Sequence, residues 1–132
     1  MPELESLIAF LPTRDLEAAD RFWRGVVGLE LALDQGSCRI YRVADGGYLG
    51  FCASGEPPQP SGRVVLTLVT RDVEGWHRRL SEADVPTDGE PRPNAAFRIF
   101  HFYAESPDGY RLEVQRFEDP RWPGGAEVSS AD

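Results

Sequence analysis

The segment LPTRDLE at residues 11–17 returns as LVTRDVE at residues 68–74, displaced by 57 positions. Each copy follows a short apolar run of strand character, Leu7 to Leu11 and Val64 to Val69, and opens a stretch whose apolar residues recur at helical spacing. A chain that writes the same strand-to-helix junction twice is built from two like modules. With 132 residues in all, these are two halves of one small domain-sized body, large enough to bury a core without a metal or disulfide staple.

In both copies the aspartate, Asp15 or Asp72, stands where a helix N-cap accepts the first free amide hydrogens. Leu16, Ala19, Phe22, Trp23 and Val26 share one helix face before Gly28, a natural stop; Val73, Trp76 and Leu80 do the same in the second half. The strands LELAL, CRIYRV and YLGFCA follow the first helix, and FRIFHFYA and YRLEVQRF follow the second. Asp45-Gly46 and Asp108-Gly109 mark hairpin turns. The expected boundaries are a first module over 1–56, a linker over 57–61 inside the Pro/Gly-rich SGEPPQPSG, a second module over 62–118 and a C-terminal tail over 119–132. DGEPRPNAA at 88–96 reads as a surface loop, and Trp122 as an aromatic that packs back on the body or on a partner.

The formal charge of −8, from 22 acidic and 14 basic residues, argues against a nucleic-acid partner, because phosphate binding requires a basic face. It suits a cationic ligand. No window has the apolar length of a membrane span or a signal-peptide core, so a cytoplasmic protein with no membrane partner is the expectation. Cys38 and Cys52 are too few for a zinc motif; pairing the first hairpin so that partners sum to about 90 sets them opposite each other, and a reducing cytosol predicts free thiols. Dinucleotide and phosphate-cradling glycine motifs and a nucleophile elbow are lacking, and Ser6, Ser37 and Ser54 have no evident His and acid partners.

One residue breaks the apolar pattern of its strand. In SPDGYRLEVQRF, Glu113 stands between Leu112 and Val114, and a carboxylate there needs a partner, because an unpaired buried charge costs several kcal/mol. Alternation puts Arg111, Glu113, Gln115 and Phe117 on one face and Tyr110, Leu112 and Val114 on the other, the latter to be covered by a helix. A hairpin about Pro107 to Gly109, with partners summing to about 216, sets Tyr103 opposite Glu113 and His101 opposite Gln115. Three readings of Glu113 stand: neutralisation by Arg98 or Arg111, contact with a ligand, or service as a general base. His101 among aromatics is read first as an interior hydrogen-bonded histidine, and His77 as solvated.

The TRDLEAADRFWRGVVGLEL opening, its repeat and SPDGYRLEV together resemble the vicinal oxygen chelate superfamily, which includes glyoxalase I, extradiol dioxygenases and bleomycin-resistance proteins; the resemblance spans residues 4–118. It implies an α+β fold of two βαβββ modules whose mixed sheets curl into a half-barrel around a cavity, and a homodimer. The cavity wall it implies takes Ile8 and Phe10 from the first strand, Val65 and Thr67 from its repeat, and Phe97, His101, Tyr103, Glu113 and Gln115 from the last hairpin. Of the superfamily's metal-ligand positions only Glu113 carries a donor; the other three fall on Ile8, Gly50 and Val65. The expectation is therefore a small organic, cationic, drug-like ligand held without a cofactor. The competing expectation is a metal-dependent lyase, isomerase or dioxygenase that uses Glu113 with non-standard or intersubunit ligands, and no catalytic residue is assigned.

Overall fold

The structure is a computed structural model and describes residues 2–53 and 55–123. It divides into two compact units, Met1–Pro60 with Pro107–Gly109, and Ser61–Ser106 with Tyr110–Asp132. Each holds one open, four-stranded mixed sheet, so the two βαβββ modules are present as expected.

In the first unit the strands are β1 (Leu7–Pro12), β2 (Glu30–Asp34), β3 (Cys38–Ala44) and β4 (Gly47–Cys52), in the order β1-β4-β3-β2. Only β1 and β4 run parallel, which forces a helical crossover between β1 and the hairpins. That crossover starts at α1 (Leu16–Asp20), where the Asp15 carboxylate accepts the amides of Glu17 at 2.9 Å and Ala18 at 3.3 Å. It continues as a π-helical turn over Arg21–Val26, with the Val27 amide reaching back five residues to the Phe22 carbonyl at 2.8 Å.

The wide turn takes up one extra residue, so the buried position passes from the expected Val26 to Val27, which is 3% exposed. Trp23, fully buried, stacks on Phe51 of β4 with ring centroids 5.0 Å apart. The Tyr41 hydroxyl donates to Asp20 at 2.7 Å, and Arg24 donates to the same carboxylate at 2.7 Å. Burial alone would raise the Asp20 pKa, and these donors bring it below the ordinary carboxylate value. Burial and the Asp20 contact push the Tyr41 hydroxyl well above the usual tyrosine range.

Cys38 and Cys52 face each other across β3 and β4, as the hairpin pairing predicted, with Cα atoms 4.1 Å apart. They form a disulfide rather than the free thiols expected. That expectation rested on the compartment alone, whereas the β3–β4 register sets the two residues directly opposite each other.

The second unit repeats the plan with β5 (Val65–Val69), α2 (Val73–Glu82), β6 (Arg92–Asn94), β7 (Ile99–Glu105) and β8 (Arg111–Phe117), in the order β5-β8-β7-β6. Asp72 caps α2 by accepting the Gly75 amide at 2.9 Å, and a Cβ at Gly75 would make that carboxylate shift. Phe102, Leu112 and Val114, none measurably exposed, line the face of the sheet on which α2 lies, with Val73 and Leu80 from the helix.

Two details differ from the sequence reading. The expected loop at 88–96 contains the short strand β6, whose Pro93 is tolerated because β6 is an edge strand. The strand expected to start at Phe97 starts at Ile99, since Arg98 adopts a positive φ of 54°. No helix among the described residues is long and apolar enough to cross a membrane.

Because the disulfide closes a segment of 14 residues, reducing it should lower unfolding free energy by about 3 kcal/mol. Chemical denaturation with and without a thiol reductant checks this; coincident midpoints would show that the two sulfurs are not joined.

Candidate functional site

The face of the second sheet turned away from α2 carries the polar residues. The β7–β8 register pairs Tyr103 with Glu113 and His101 with Gln115, and the parallel β5–β8 register sets Thr67 beside Glu113. Glu113 thus sits at the middle of the face with a polar neighbour on each flanking strand.

Its carboxylate, in a residue only 9% exposed, is fully engaged. Thr67 donates its hydroxyl to Oε1 at 3.0 Å, and His101 Nδ1 lies 2.9 Å from Oε2. With its amide nitrogen turned toward the acid, Gln115 donates to both carboxylate oxygens at 3.1 Å. Neither Arg98 nor Arg111 is the partner: Arg98 pairs with Asp119 at 3.7 Å, and the Arg111 guanidinium lies over the Tyr103 ring at 4.0 Å. Among the described residues no arginine touches Glu113, and the sequence contains no lysine.

A carboxylate oxygen facing His101 Nδ1 fixes the neutral ring with its hydrogen on Nδ1, which leaves Nε2 as an acceptor. No hydrogen bond to Nε2 exists among the described residues. The ring is held from the other side by Tyr103, edge-on at 5.2 Å. Asp88 in turn accepts the Tyr103 amide at 2.9 Å and grips Arg92 at 2.6 and 2.8 Å, and the Arg92 contact holds its pKa down at about 2. The opposite end of the face is apolar: Ile99 pairs with Phe117, and Trp122 stacks on Phe117 with centroids 4.0 Å apart. Trp122 was anticipated as an aromatic that folds back, but its place beside this face was not, because no strand periodicity extends to it. The rest of the 119–132 tail, from 124 onward, lies outside the described residues.

Of the residues singled out from the sequence, Val65, Thr67, His101, Tyr103, Glu113 and Gln115 come together on this one face. Phe97 does not share it as a strand residue; it sits in the turn before β7, 71% exposed, its amide bonded to the Asn94 side chain. Ile8 and Phe10 belong to β1 of the first unit. There the Phe10 ring covers Gly50, where a Cβ would come within 2.5 Å of it.

A metal of the superfamily's type needs about three protein donors. Among the described residues no group of three or more His, Cys, Asp or Glu side chains converges. Glu113 and His101 are bonded to each other rather than opposed across a gap. The residues present therefore do not fit such an ion. A shallow depression of about 540 Å³ lies elsewhere, along α2 between Asp72 and Glu82; it mixes two acids with two arginines, and none of the residues grouped around Glu113 lines it.

No curated protein matches the chain. The sequence model of the Glyoxalase/Bleomycin resistance protein/Dioxygenase superfamily matches residues 7–114. Among solved structures, the fold is similar to a glyoxalase/bleomycin resistance protein/dioxygenase from Alicyclobacillus acidocaldarius (TM-score 0.72, 17% identity, 88% of this chain and 93% of that one). It is also similar to a lactoylglutathione lyase from Agrobacterium tumefaciens (TM-score 0.70, 20% identity, 89% and 97%). An integron cassette protein from the mobile metagenome of the Halifax Harbour sewage outfall is similar to a like degree (TM-score 0.73, 18% identity, 85% and 97%). At these identities the structures speak for the fold alone, while the sequence match covers most of the chain. With this sequence match and the doubled βαβββ plan both in view, the chain belongs to the Glyoxalase/Bleomycin resistance protein/Dioxygenase superfamily.

Proposed function

We propose that the protein binds a small organic cation, without a metal, on the Glu113 face of its second sheet, as in sequestration of a drug-like molecule. The observation that carries this reading is a buried carboxylate satisfied by a hydroxyl, an imidazole and an amide, with no arginine against it. When the ring is neutral the His101–Glu113 pair bears one negative charge in a poorly solvated place, and a cation arriving there recovers part of the burial cost.

The contact atom for such a ligand is His101 Nε2 rather than Glu113 itself, whose oxygens are taken. A ligand N–H donates to Nε2, the ring gains positive character, and Glu113 stabilises it through Nδ1. The Ile99, Phe117 and Trp122 end offers apolar and aromatic surface for the rest of the molecule, and aromatic pairs add about 0.5–1.5 kcal/mol beyond simple burial. On this reading the protein's role is protective rather than catalytic.

Titration with proflavine, a planar aromatic cation, followed by tryptophan fluorescence should saturate. Glu113→Gln keeps the shape and removes the charge, and should weaken proflavine by about tenfold, or about 1.4 kcal/mol, while a neutral aromatic of similar size changes by less than about twofold. Equal losses for the cation and the neutral compound would sink the charge-complementarity reading. Prolonged dialysis against a strong chelator should leave proflavine affinity unchanged. Stoichiometric metal in protein purified without chelator, lost together with binding on chelation, would instead favour a metal-dependent lyase, isomerase or dioxygenase.

A further inference from the structure

The Arg111 guanidinium lies over the Tyr103 ring at 4.0 Å, and among the described residues it makes no hydrogen bond and no ion pair. An acid is within the same register. Glu105 stands directly opposite Arg111 on β7, yet the arginine turns to the tyrosine ring instead. Stacking engages the flat face of a guanidinium group and leaves its in-plane N–H donors for another partner. A carboxylate matches that planar fork, because its two oxygens take two of those donors at once.

Arg111 belongs to the face already described. Val65 of β5 lies beside it, as Thr67 lies beside Glu113, and Arg111 precedes Glu113 on β8 by two residues, about 7 Å at strand spacing. One aromatic ring neighbours both functional groups. Tyr103 carries the guanidinium at 4.0 Å and meets the His101 ring edge-on at 5.2 Å. The face therefore presents a set of donors at Arg111, an acceptor at His101 Nε2, and the stacked pair of Phe117 and Trp122 beyond them. All of these residues lie in the second unit.

We propose that the ligand of this face carries a carboxylate as well as its cationic N–H group: Arg111 holds the acid while the N–H meets His101 Nε2. Resting on the cation reading above, this narrows the ligand class from bare amines to zwitterions whose opposite charges are several bonds apart. A singly charged acid suits the surroundings. Glu113 and the exposed Glu105 already bear negative charge there, and the chain as a whole carries −8, so a doubly charged phosphate would meet more repulsion than one arginine offsets. The ligand's own positive charge lies toward Glu113, which keeps its carboxylate on the arginine side.

Competition against bound proflavine tests the assignment with two compounds of one skeleton. In para-(aminomethyl)benzoate an ammonium and a carboxylate flank a benzene ring, and the methyl ester of the same compound is a plain cation. The zwitterion should displace proflavine at about tenfold lower concentration than the ester, the reverse of what the acidic net charge alone would give. Arg111→Gln should bring the two compounds to within about twofold of each other. Arg111→Lys, which keeps the charge and loses the planar fork, should retain only part of the preference, and far-UV circular dichroism checks that each variant is folded. Equal displacement by acid and ester in the parent protein, or a preference for the acid that survives Arg111→Gln, would overturn the assignment while proflavine binding and its response to Glu113→Gln stood. Proflavine that fails to bind at all would sink the cation reading, and the zwitterion with it.

Discussion

A carboxylate inside a sheet has to be surrounded by donors, and the second module is arranged around that requirement. Glu113 lies on the inner strand β8, so both neighbouring strands can supply a group at its level: Thr67 from β5 and His101 from β7. The supply depends on register. A slip of one residue along β7 would bring Phe100 and Phe102 to that face and leave the acid facing hydrocarbon. The burial of Phe102, Leu112 and Val114 beneath α2 holds the register, and so the apolar side of the sheet determines what the polar side can do.

The same economy of parts explains why this face differs from a chelate centre. A metal site needs side chains that converge but do not satisfy one another, so that an ion is left to complete them. Here the acid and the imidazole already satisfy each other at 2.9 Å, and Gln115 and Thr67 occupy the remaining lone pairs. At the equivalent place in the first module, Gly50 has no side chain, and Phe10 lies across it. At matching positions of the doubled fold, one module presents hydrocarbon and the other a hydrogen-bonded polar cluster.

Much of this was legible in the sequence, for identifiable reasons. The 57-residue repeat and the two aspartate caps specified the doubled plan, because caps and turn glycines act through local geometry that neighbours seldom override. Strict alternation along YRLEVQRF gave the face of Glu113, and the Pro107 to Gly109 turn gave its register. What was missed lay where a local rule met a tertiary one. The π-turn moved the buried position from Val26 to Val27, a shift that spacing by 3.6 cannot foresee. The positive φ of Arg98 cut Phe97 from its strand. The acid's partner was sought among arginines because charge suggests charge, whereas position favoured an imidazole from across the hairpin and an amide two residues along the same strand. The disulfide was missed because compartment was weighed above the direct opposition of Cys38 and Cys52.

The central claim is that Glu113 fixes the His101 ring and turns its second nitrogen into the acceptor that meets a ligand. Long-range proton–nitrogen NMR correlation of the His101 ring tests this directly, in protein freed of metals, before and after proflavine is added. The account predicts that in the neutral ring the hydrogen resides on Nδ1, and that the Nε2 resonance moves on titration while Nδ1 keeps its hydrogen. A hydrogen found on Nε2, or an Nε2 signal that proflavine leaves unmoved, would contradict it.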